Sequence, residues 1–170
     1  MHAVTLFSML LFGHIGITLG IAWLIESKLN VRMNYGLIIV GSLLPDIIDK
    51  PLGMLLLPLN SGRIFGHTLL FIFVLLLIGL KYRKFLFLSF ASFLHLIEDE
   101  MWRVPETLFW PLLGDFPAGE YSIHEYIADE VSKYSPSFST TFIFEVIGFV
   151  IALIFLKEKG IPALRNKLTS

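Results

Sequence analysis

Long apolar runs separated by short polar connections dominate the chain, and this pattern predicts helices rather than strands. Five apolar stretches stand out, at residues 3–25, 35–45, 64–80, 85–97 and 138–156. The first, third and fifth approach the roughly 20 residues that a helix needs to cross about 30 Å of hydrocarbon. The second and fourth are shorter. They are expected either to extend into their polar flanks or to lie inside the bundle, where protein or a wet cavity satisfies their ends. A further apolar piece, residues 52–59, is bracketed by Pro51 and Pro58 and reads as re-entrant or interfacial rather than spanning. Residues 98–137 form a polar segment that is acidic and aromatic, with Trp102, Trp110 and Tyr121 suited to a membrane interface. Within it, residues 122–134 read as a surface helix carrying His124. No internal repeat is visible.

Composition turns this pattern into a membrane reading. Hydrophobic residues make up 55% of the chain and charged residues 16%, and the mean hydropathy is +0.76. A soluble fold of 170 residues leaves much of its surface wet, and too few charges exist here to cover it. The expected fold is an all-α integral membrane protein, one domain over residues 1–170. It would be a bundle of about five short transmembrane or partly re-entrant helices with an extracytoplasmic polar segment. Residues 3–25 lack a basic leader and a small-residue cleavage signal, so they read as a retained span rather than a signal peptide.

Charge orients the bundle. Lys28, Arg32, Lys81, Arg83, Lys84, Lys157, Lys159, Arg165 and Lys167 fall on one side, against Lys50, Arg63, Arg103 and Lys133 on the other. The positive-inside rule makes the first side cytoplasmic, with the N-terminus outside and the C-terminus inside. The net charge of −1 and the absence of a basic run argue against a nucleic-acid partner. There is no cysteine, so any metal must be held by histidine and carboxylate.

Ionisable groups in or beside spanning helices are expensive, and each is a functional candidate. This topology sends Asp46, Asp49, Arg63, His67, His95 and Asp99 to the outer face, with His14 and Glu145 within reach of it. His95 and Asp99 are four apart and share a helix face, as Arg63 and His67 would on a continuous helix. Asp46 and Asp49 follow Pro45 as a helix-end pair. Each has a plain alternative: His14 as a helix-packing residue, the aspartates as caps, Arg63 as a snorkelling cation. Glu145 has the weakest such alternative, because a buried carboxylate needs a partner or a proton. Taken together, the set favours a site. Histidines and aspartates without thiolate suit Zn²⁺ or Mn²⁺, as one or two ions.

The stretches GHIG (13–16), GSLLPDIIDKP (41–51), GRIFGHTLL (62–70), HLIEDEMW (95–102) and FWPLLG (109–114) resemble the YdjM-like family of membrane-bound metal-dependent hydrolases. That family is itself distantly similar to zinc-dependent phospholipases C. The resemblance implies that His14, Asp46, His67, His95 and Asp99 are metal ligands, with Asp49 a sixth. The chain departs from the P-D-x-D-H pattern of many members, since Lys50 stands where they carry a histidine and the second aspartate is shifted. It also lacks the histidine of a His-Arg pair ahead of His67.

The expected function is hydrolysis of a phosphoester in a membrane lipid or amphiphile. Asp49 or Glu145 would serve as base or extra ligand, and Arg63 would contact the phosphate bidentately. Two other classes remain open: an ion or proton transporter, and a structural membrane protein braced by the metal.

Overall fold

A computed structural model of the chain describes residues 9–57, 59–119, 122–134, 139–162 and 165. Among the described residues every regular element is helical. Seven α-helices follow in order: α1 Leu11–Leu29, α2 Tyr35–Pro51, α3 Leu69–Lys81, α4 Leu86–Glu98, α5 Pro105–Leu108, α6 Ile123–Ser132 and α7 Thr140–Phe155.

The five apolar stretches become α1, α2, α3, α4 and α7, with shifted ends. Residues 3–8 lie outside the described residues, and α1 starts at Leu11, so His14 sits in the first turn rather than deep along a longer helix. Residues 52–59 do not form a separate segment: α2 runs on to Pro51 and continues as a π-helical turn, Leu52–Leu56. Residues 64–68 are not part of α3. They form a short 3₁₀ turn, Phe65–His67, after which the Thr68 side chain caps α3 by accepting from Phe71 N. Arg63 and His67 therefore do not share a helix face. The surface helix expected in residues 122–134 is α6, opened by Ser122 and Glu125 in a reciprocal capping box.

Helix α1 packs on α7 and α2, while α4 packs on α2 and α3. The α1–α7 contact depends on glycine. A Cβ added at Gly16 would lie 1.8 Å from the Gly148 carbonyl oxygen, and one at Gly148 would lie 2.2 Å from that of Phe12. Small residues let helix backbones approach to this range.

The bundle is layered. Leu19, Ala22, Ile38, Ala91 and Phe155 form an apolar core towards the end carrying Lys28, Lys157 and Lys159. Towards the opposite end a second apolar cluster, Phe71, Ile72, Leu96 and Met101, adjoins a group of buried polar side chains. The outer faces of α3 and α7 expose large apolar residues, among them Phe73, Leu77, Ile147 and Leu153. Among the described residues, Thr140–Gly160 is the one helical stretch long and apolar enough to cross a membrane, with mean hydropathy 2.1, and Leu69–Lys81 is a shorter apolar helix.

Gly16→Val and Gly148→Val should each force α1 and α7 apart. Overpacking of this kind costs about 1–3 kcal/mol, read as a lower thermal unfolding midpoint. Gly36, where a Cβ meets nothing closer than 3.5 Å, is the control, and Gly36→Ala should leave the midpoint near or above wild type. Equal midpoints for all three variants would mean that α1 and α7 do not touch at the glycines.

Candidate metal centre

Five helices deliver side chains to one end of the bundle, because α1, α3 and α7 begin there and α2 and α4 finish there. His14 comes from the first turn of α1, Asp46 and Asp49 from the last turns of α2, and His67 from the turn preceding α3. His95 lies in the last turn of α4 and Asp99 is its C-cap. All three imidazoles are fully buried.

Local sequence sets the ring of His95. Pro45 sits inside α2 and has no N–H to offer the carbonyl four residues back. That carbonyl, of Gly41, accepts instead from Ser92 Oγ at 2.9 Å. One residue on, the Ser42 carbonyl accepts from His95 Nδ1 at 2.7 Å. The proline thus turns a strip of α2 backbone into a dock for α4.

The other two rings are fixed by carboxylates. His67 Nδ1 lies 2.7 Å from Asp49 Oδ2. His14 Nδ1 lies 2.7 Å from Glu98 Oε2, while Glu98 Oε1 accepts from Thr18 Oγ1 at 2.9 Å. Carbonyls and carboxylates only accept, so each Nδ1 donates, and each neutral ring carries its lone pair on Nε2. The three Nε2 atoms converge. Those of His67 and His95 are 3.2 Å apart, and the rings of His14 and His95 stack with centroids 3.9 Å apart.

Two carboxylates complete the group. Asp46 Oδ1 lies 3.7 Å from His67 Nε2 and 3.8 Å from His95 Nε2. Asp99 places Oδ1 3.3 Å from His14 Nε2 and Oδ2 3.8 Å from His67 Nε2. His14, Asp46 and His95 form one set of atoms close enough to hold a metal ion, and His67, His95 and Asp99 form another.

The residues fit a cation on two observations. His14 Nε2 is a buried nitrogen without a hydrogen-bond partner. The two facing Nε2 atoms are separated by a distance close to the roughly 3.3 Å between ligand nitrogens on a tetrahedral ion with bonds of about 2.0–2.1 Å. Lone pairs facing each other in a dry interior repel, and a shared cation relieves them. Each ligand carboxylate is also backed by a side-chain cation. Arg63 Nη2 donates to Asp99 Oδ2 at 2.9 Å, and Lys50 Nζ donates to Asp46 Oδ2 at 2.9 Å.

Asp49 and Glu145 do not stand where sequence reading put them. Asp49 is fully buried behind His67, and besides that ring it accepts from the backbone N–H groups of Ile64, Gly66 and His67 at 2.7, 2.6 and 3.1 Å. It positions His67 and the loop before α3 from the Nδ1 side of that ring, outside both candidate ligand sets. The turn fits only because Gly66 has no side chain: a Cβ there would lie 2.9 Å from Pro45 and 3.0 Å from Asp49 Oδ1.

Glu145 reaches across from α7 and caps α1, a helix whose own N-cap, Leu10, has no side-chain acceptor. Its carboxylate accepts from the N–H groups of Leu10, Phe12 and Gly13 at 3.0, 3.1 and 2.7 Å. The partner that a buried carboxylate needs is a helix N-terminus. Glu145 stands at the start of α1, outside both candidate ligand sets. Glu98 is the residue that sequence reading missed. Its signal was its place three residues after His95, which returns it to the buried face of the same helix.

An all-helical protein whose buried histidine and aspartate groups could hold a metal ion is the class that this fold and cluster define. Its sequence matches the model of the family described as YdjM inner membrane protein over residues 9–167, and the chain belongs to that family. No curated protein and no solved structure matches it.

Glu98→Gln should weaken metal binding about 10–100-fold without abolishing it, as is usual when the partner of a ligating histidine is lost. Glu145→Ala should instead lower unfolding stability by about 3 kcal/mol or more, since each stranded buried donor costs about 1–3 kcal/mol, while its folded fraction binds metal like wild type. Metal titration beside thermal unfolding separates the two. The opposite pattern, with Glu145→Ala losing metal and Glu98→Gln losing none, would sink both assignments.

Proposed function

We propose that this protein is a membrane-embedded, metal-dependent hydrolase that cleaves a phosphoester of a lipid or amphiphile. One observation carries the reading: the convergent Nε2 atoms and carboxylates are closed by packing on most sides but reach the surface at Asp46, whose side chain is 18% exposed and borders a cleft of about 450 Å³. A metal that merely braced a bundle would call for a closed coordination sphere, whereas catalytic sites keep a position open.

His14, Asp46, His67, His95 and Asp99 would hold the metal. The imidazole and carboxylate donors suit Zn²⁺ first and Mn²⁺ second, and two overlapping sets sharing His95 suit one ion or two. Such an ion supplies a water of lowered pKa, towards ~7, and a Lewis acid for the phosphoryl oxygen. The surrounding residues do the rest. Asp49, Glu98 and the Ser42 carbonyl hold each ring with its lone pair inward. Arg63, whose side chain is 16% exposed and bonded to Asp99, would orient a phosphate beside the ligands.

Membrane embedding is supported by the inner-membrane description of the family and by the apolar outer faces of α3 and α7. Surfaces of that kind are poorly tolerated in water. With the basic end cytoplasmic, the cluster lies near the outer face, at the depth of lipid headgroups. A transport path is less well supported, because the apolar core of Leu19, Ile38, Ala91 and Phe155 fills the bundle beyond the cluster and offers a permeating ion no polar partners.

Elemental analysis of the purified protein is the first test. Wild type should carry stoichiometric zinc or manganese, and His95→Ala and Asp99→Ala should lose it. A metal-free wild type ends the hydrolase reading. Mixed phospholipid vesicles should then release phosphate or phosphorylated headgroup with wild type and with neither variant, and bound metal without turnover would leave the bracing role. Tags at each terminus should be accessible from outside only at the N-terminus, and the reverse result would put the cluster on the cytoplasmic side.

A further inference from the structure

The cleft beside Asp46 has a chemistry of its own. Its walls are Leu10 and Leu11 at the start of α1 and Leu43, Ile47 and Pro51 on α2. The volume of about 450 Å³ lies in the range of about 300–1,000 Å³ typical of small-ligand sites. Asp46, Lys50 and Glu130 form the polar side of the slot, and Asp46 also turns Oδ1 towards the imidazoles of His67 and His95.

Part of the rim is apolar. Leu11 is 45% exposed and Ile47 58%, so the slot opens sideways between α1 and α2 through side chains that favour hydrocarbon over water. Helix α6 borders the same opening. It turns Glu130 towards Lys50, at 3.8 Å, and leaves Ile127 and Val131 facing outward at 52% and 65% exposure. A helix that docks by polar contacts and presents aliphatic residues outward suits an interface with lipid.

We propose that this cleft is an acyl-chain site, and that the substrate is a bilayer lipid whose hydrocarbon chain enters sideways between α1 and α2 while its phosphate meets the cluster. The inference rests on the phosphoester reading and deepens it by assigning the substrate class. Charge complementarity supports the placement of the head. Lys50 behind Asp46 and Arg63 behind Asp99 put a cation on each side of the cluster, where an anionic headgroup would lie. Burial of the chain would supply binding energy away from the reacting phosphate, energy that can be used to position it. Leu43 and Ile47, one helical turn apart on α2, become the residues that set chain preference.

The test measures binding, not turnover. Alkylphosphonates from methyl to dodecyl are titrated into zinc-loaded, full-length protein held in an amphipathic polymer, without lipid or detergent. Affinity should rise about four-fold for each methylene buried, the factor that corresponds to about 0.8 kcal/mol, and then level off once the cleft is full. Leu43→Trp and Ile47→Trp fill the slot and should cut the dodecyl-to-methyl affinity ratio at least ten-fold. Ile47 is largely exposed, so its variant also serves if Leu43→Trp misfolds. Methyl and dodecyl compounds binding equally to wild type would overturn the chain site while leaving the phosphoester reading intact. The chain site is overturned in the same way if both variants keep the wild-type slope. Failure of every phosphonate to bind would overturn the phosphoester reading, and the chain site with it.

Discussion

Bringing three imidazoles and two carboxylates together in a dry interior is unfavourable unless every polar atom has a partner, and this requirement organises the whole site end of the molecule. Three Nδ1 atoms are paired by three different acceptors: the Ser42 backbone carbonyl and two buried carboxylates. Once those bonds are made, the rings are held, and their second nitrogens line two overlapping sets that share His95. What the surrounding protein leaves unsatisfied there, His14 Nε2 above all, is what a cation would satisfy.

The supporting layer is more extensive than the candidate ligand set. Asp49 fastens the loop before α3 through three backbone N–H groups while orienting His67. Glu145 fastens the start of α1 while leaving His14 in its first turn. Asp49 couples the His67 ring to the loop that carries it, so ring position and loop position are set together. Glu145 sets the backbone from which His14 projects.

The same end of the bundle combines this polar interior with an apolar cleft and with exposed aliphatic residues on α6. Water-facing sites rarely need the last two. An enzyme whose substrate resides in the bilayer needs both, since chain and headgroup must be met in adjoining environments of opposite character. The far end is filled by aromatic and aliphatic side chains.

The helical class and the five apolar helices were legible in the sequence, because hydrophobic run length and polar punctuation are local properties. So were eight ionisable candidates, among them His14, Asp46, His67, His95 and Asp99, since such residues in apolar surroundings declare themselves; the family resemblance singled out these five. That these five lie together was decided by the packing of α1 antiparallel to α2 and α4, which brings side chains more than 80 residues apart in sequence into contact, as in the pairing of His14 with Glu98. The roles of Asp49, Glu98 and Glu145 also belonged to the tertiary structure. A carboxylate reads the same in sequence whether it meets a metal, an imidazole or a row of backbone N–H groups, and only packing determines which of these lies within reach.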